Sequence, residues 1–178
     1  VGSGPNAPAS RFLNNTSTHP INYTFIEPSK AAKELLPFIQ DLKGGSKGVL
    51  IQQSASSKEA KEQPQADVVV ANRMIHEWRL YVLSQGETWT VKDAIQILLD
   101  LTKQGGHVII GDFCFNEEYA KLKDDDPRLI EDMDRLAKRI GHSHEPRNYV
   151  TLDQIKEAAN ELGVKISYSH VIENPEPD

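Results

Sequence analysis

The chain opens Val1-Gly2-Ser3-Gly4-Pro5-Asn6, and the next apolar run ends in Glu27. Glycines on either side of Ser3 let a backbone turn sharply and approach a ligand that any side chain would hold off. A carboxylate about 20 residues further on, at the end of the next strand, suits the hydroxyls of a ribose, which it accepts as hydrogen-bond donors. Gly2, Ser3, Gly4 and Glu27 are therefore expected to hold a nucleoside. The plainer alternatives are an ordinary glycine turn and a solvated acid at a strand end.

Other residues sit where chemistry is done. Asn72, with Arg73 beside it, directly follows the apolar run Ala66–Ala71, and a polar residue there faces a ligand or a turn. Ser54, Ala55 and Ser56 follow a shorter apolar run and either line a base or form a polar loop. His76 is a general-base candidate, since an imidazole titrates near neutrality, although a structural histidine is the better reading. His144, in His142-Ser143-His144-Glu145, offers a base; the alternative is a solvated loop. No metal site is expected, because two histidines at that spacing lack partners. Asp124-Asp125-Asp126 precedes Pro127 and a helix, where acids complement the helix dipole. Cys114 reads as a small buried side chain. Trp78, Tyr81, Trp89 and Tyr119 read as core, with an acceptor pocket as the alternative.

The elements that must position these residues alternate. Strands are expected over 21–27, 48–53, 66–71, 107–111 and 164–172, from their β-branched and aromatic content. Helices are expected over 7–14, from a Ser29 cap to Gly44-Gly45, over 74–84, 91–103, 127–139 and 151–162. Thr151-Leu152-Asp153-Gln154 matches a capping box, and Gln104-Gly105-Gly106 reads as a turn. Strands alternating with helices indicate an α/β chain with a mainly parallel sheet. Right-handed crossovers then bring the strand carboxyl ends, and with them Gly2–Asn6, Glu27, Ser54–Ser56 and Asn72–His76, to one edge.

At 178 residues the chain matches one domain in size, with 38% hydrophobic and 26% charged residues. A net charge of −6 without a basic cluster speaks against nucleic-acid binding. A single cysteine, Cys114, excludes an intramolecular disulfide and suits a reducing, cytoplasmic setting. No apolar run reaches the length of a membrane span. The start, without methionine and at what reads as the last residue of a strand, leads us to expect a piece of a longer chain.

Together these segments resemble the class I S-adenosylmethionine-dependent methyltransferases over nearly the whole length. Val1-Gly2-Ser3-Gly4-Pro5 is similar to the family's first glycine-rich motif, and Phe25-Ile26-Glu27-Pro28-Ser29 to the second, whose acid binds the cofactor ribose. Ala66–Asn72 with Ile75-His76-Glu77-Trp78 resembles the strand beside the methionine moiety. Leu98–Asp112, with Gln104-Gly105-Gly106-His107-Val108-Ile109-Ile110, resembles the later helix, turn and strand. The resemblance implies a three-layer Rossmann-like fold, S-adenosylmethionine as cofactor, and Gly2, Ser3, Gly4, Glu27, Ser54, Ala55, Asn72 and Arg73 as its contacts. It implies that 116–149 forms a lid-like insertion over the acceptor. An Asn-Pro-Pro-aromatic segment is absent, so the acceptor is expected to be a small molecule rather than a nucleic-acid amine. The chain departs from the family at Asn6, where a third small residue is usual, and at Ser54, where an acid is common. Those departures motivate the alternative of a catalytically degenerate binding or scaffolding domain.

Overall fold

The computed structural model describes residues 1, 7–72, 74–75, 90–112, 114–115, 121–123, 125–140 and 150–170. After residue 1 the elements run α1 (Pro8–Thr16), β1 (Asn22–Ile26), a 3-10 turn (Lys30–Leu35), α2 (Leu36–Gln40), β2 (Lys47–Ile51) and α3 (Lys58–Lys61). They continue as β3 (Ala66–Asn72), α4 (Val91–Asp100), β4 (Thr102–Gly111), β5 (Cys114–Phe115), α5 (Pro127–Ile140), β6 (Val150–Thr151) and α6 (Leu152–Glu161). The chain is α/β, and every strand pair is parallel: β1 with β2, β3 with β4, β5 with β6.

The first crossover is broken where one helix is expected from Ser29. Pro37 lacks the N–H that would continue the ladder, so the segment winds first as a 3-10 turn and restarts as α2. The Ser29 amide donates to Glu27 Oε1 at 3.1 Å. Successive residues of a strand face opposite sides, and β1 uses both. Tyr23 and Phe25 pack with Ala7, Leu35 and Phe38 in one apolar cluster. The Tyr23 and Phe25 rings stack at 5.7 Å, and Phe38 meets Phe25 edge-on. Arg11 of α1 lies 4.6 Å over Phe38. Ile26 instead joins Ile51, Ala55, Ala60, Val69, Ala71, Ala94, Leu98 and Leu101 in a second cluster. That cluster ties the two longer ladders and α4 together.

α4 begins at Thr90, whose hydroxyl accepts the Asp93 amide while the Asp93 carboxylate accepts the Thr90 amide. It ends three residues before the expected boundary, because Thr102 already pairs with Ala66. The Gly105-Gly106 pair is thereby absorbed into β4 as a bulge rather than a connecting turn: the ladder passes from Ala66–Thr102 to Val68–His107. A Cβ at Gly106 would lie 2.7 Å from the Asp67 carbonyl, so only glycine fits there. α6 packs on α4, with Lys92 and Glu161 at 3.0 Å between them. Its capping box forms as the sequence predicts: Thr151 Oγ1 accepts the Gln154 amide and Gln154 Oε1 the Thr151 amide.

The strand expected over 164–172 does not form within 164–170. That stretch pairs with no described strand, and its side chains are mostly exposed, Tyr168 by 81%. Alternation of Val164, Ile166 and Tyr168 encodes strand propensity, but a strand is stable only with a neighbour to take its N–H and C=O groups. The short β5–β6 pair has no comparable signal, being two residues on each side. Beyond residue 75 the helix expected over 74–84 lies outside the described residues. No described helix is long and apolar enough to cross a membrane.

Candidate functional site

β1 pairs with β2 and β3 with β4 in separate two-stranded parallel ladders, and residue 1 bonds to β3 and packs on the apolar cluster the two ladders share. The Val1 amine donates to the Val70 carbonyl at 2.7 Å, and the Val1 side chain packs against the cluster that contains Ile26, Ile51 and Val69. Glu27 lies close enough to residue 1 for its charge to be felt there. The two longer ladders therefore meet at Val1, where the Gly2–Asn6 segment departs. Gly2, Ser3 and Gly4 themselves lie outside the described residues.

Glu27 is the first residue after β1 and is only 7% exposed. Burying a carboxylate is unfavourable unless it is paired or hydrogen-bonded. Here it accepts the Ser29 amide, and its own amide donates to Ile51 O at 3.1 Å, extending the β1–β2 ladder by one bond. An ionised carboxylate has about four acceptor sites, so holding its own turn is compatible with receiving a ligand hydroxyl. Directly upstream of α1, Ala7 takes a left-handed conformation at φ 36°, and no side chain caps the first turn. A non-glycine residue there is strained by roughly 1–2 kcal/mol.

The loop after β2 is self-contained. Ser54 Oγ lies 2.9 Å from Ser56 Oγ and accepts the Ser56 amide, while Ser57 caps α3. Ala55 is fully buried, its methyl in the core with Ile51 and Leu98. The Ala55 side chain is thus unavailable to a ligand, and the Ser54 hydroxyl is engaged by Ser56.

After β3 the geometry is more specific. Asn72 is half-buried and pairs with Gly111 at the ends of β3 and β4. The next residue of β4's chain, Asp112, turns back: its Oδ2 accepts the amides of Ile75 at 2.6 Å and Met74 at 3.1 Å. Sequence reasoning passed over Asp112 except as a strand end. Its one signal is the one that singles out Glu27, an acid immediately after an apolar strand on the same edge. Arg73, His76 and His144 lie outside the described residues, as do Trp78, Tyr81, Trp89 and Tyr119.

Two further expectations concern acids and metals. Asp126 accepts the Arg128 amide at 3.0 Å and grips its guanidinium, which holds the carboxyl below the usual carboxylate range. It thereby tends the start of α5, as a dipole-complementing acid does; Asp124 lies outside the described residues. Among the described residues, no three of His, Cys, Asp and Glu gather to suit a metal ion.

Glu27 lies beside Val1, while Ser54, Asn72 and Asp112 stand at or after the ends of other strands. No protein-family model matches the chain, and neither does any curated protein or solved structure.

Proposed function

We propose that this chain is a Rossmann-like, S-adenosylmethionine-dependent methyltransferase domain acting on a small molecule. The observation that carries the reading is the buried Glu27 carboxylate beside Val1, directly after a parallel strand. Ligands of parallel α/β sheets bind at the carboxyl ends of the strands. A nicotinamide dinucleotide is the poorer reading because the segments after Glu27 resemble those of methyltransferases; the third position of the dinucleotide turn falls on Ala7, which that motif tolerates.

The residues present suit such a cofactor. Glu27 takes the ribose hydroxyls, the Gly2–Gly4 backbone the close approach, and Asn72 with Arg73 the amino-acid end. The Ser54 loop borders the base. When bound, the cofactor supplies a methyl carbon attached to a positively charged sulfur. The protein's part is mainly to position that carbon in line with an acceptor lone pair and to keep water out. If the acceptor is a hydroxyl, His144 or His76 is the side chain to take its proton.

The reading is tested by ligand-induced stabilisation. S-adenosylhomocysteine at 100 times its Kd is expected to add about 2.7 kcal/mol to unfolding, whereas NAD at the same concentration adds nothing. Stabilisation by NAD alone would sink it. A second reading, binding without catalysis, draws support from Ser54 and Ala55. The hydroxyl is engaged by Ser56 and the methyl lies in the core, leaving that loop few groups for a base. It predicts binding with no transfer of labelled methyl to any acceptor.

A further inference from the structure

We propose that Asp112 is a positioning residue of this site, acting through the main chain of Met74 and Ile75; the inference rests on the methyl-transfer reading above. β3 and β4 end level, Asn72 opposite Gly111, and the described residues that follow, Met74 and Ile75, lie outside the ladder. Once outside the ladder, the next amides need acceptors. A single carboxylate oxygen supplies both: Asp112 Oδ2 receives Met74 N and Ile75 N from a strand 37 and 38 residues distant in sequence. Bonds from backbone N–H to an ionised acceptor are among the stronger ones.

Both ends of the bend are thereby held. Met74 and Ile75 are anchored by their side chains as well, 8% and 1% exposed. On the near side, Asn72 Oδ1 would lie 3.4 Å from a Cβ at position 111, so the Asn72 amide lies across a residue without a side chain. Asp112 thus fixes where the 72–75 segment emerges at the strand edge, and with it the direction in which Asn72 meets a ligand. Small displacements of such groups are felt strongly in affinity. Asp112 itself need not touch the ligand.

The experiment uses S-adenosylhomocysteine as the calorimetric probe on the protein and its Asp112→Ala, Asp112→Asn and Thr90→Ala variants. Amide hydrogen exchange is measured alongside. Asp112→Ala is expected to raise Kd at least ten-fold. Asp112→Asn, which keeps an acceptor oxygen, is expected to fall between it and the parent. Exchange at Met74 and Ile75 should quicken at least ten-fold in Asp112→Ala, while that of Glu27, bonded to Ile51, stays unchanged. Thr90→Ala loosens α4 away from the site and should leave Kd unaltered. Equal affinity in parent and both Asp112 variants overturns the positioning role alone. An equal loss in Thr90→Ala also overturns it, since general loosening would then explain the effect. Absence of binding by the parent overturns the methyl-transfer reading and the positioning role with it.

Discussion

Tyr23 places a phenol in a layer that is otherwise hydrocarbon. Its hydroxyl is buried and has no hydrogen-bond partner among the described residues, and burial raises its pKa. An unsatisfied buried donor is a liability of about 1–3 kcal/mol. Tyr23→Phe keeps the ring stack with Phe25 and is expected to stabilise the fold by about 1 kcal/mol, read from urea unfolding; a loss of stability would show that the hydroxyl is partnered.

At the scale of elements, local signals fared well wherever the cause was local. The capping boxes at Thr90 and Thr151 form in full, and Thr151-Leu152-Asp153-Gln154 is legible because its partners lie three residues apart. Thr151→Ala is expected to lower stability by about 1 kcal/mol, with Thr151→Ser close to the parent in the same denaturation experiment. An unchanged midpoint for alanine would mean that the cap is redundant. The apolar run Ala66–Asn72 is a strand for an equally simple reason, its β-branched content. Pro37 is also a local signal, and it outweighs the helical spacing of Ala32, Leu35, Leu36 and Ile39. Residues 164–170 show the opposite limit, because alternation specifies a strand's face but not its neighbour. The Gly105-Gly106 pair is similar: Gly106 is demanded by the approach of the Asp67 carbonyl and Gly105 by its left-handed φ of 79°, which no window of sequence reveals.

At the scale of the whole molecule, the described strands form separate parallel ladders, two of which share an apolar cluster on which residue 1 packs. That Glu27 and Ser54 come after strands, and that Asn72 ends one, is legible from the apolar runs that precede them. The role of Asp112 is not, because it depends on amides of a different crossover, over 30 residues upstream. The account stands on Glu27 binding the ribose of an adenosyl cofactor. Calorimetric titration of S-adenosylhomocysteine into the protein and its Glu27→Ala variant is its most direct test. The account predicts one-to-one binding by the parent, weakened at least ten-fold, about 1.4 kcal/mol, in Glu27→Ala. Equal affinity in the two, or a folded parent that takes up no ligand, would contradict it.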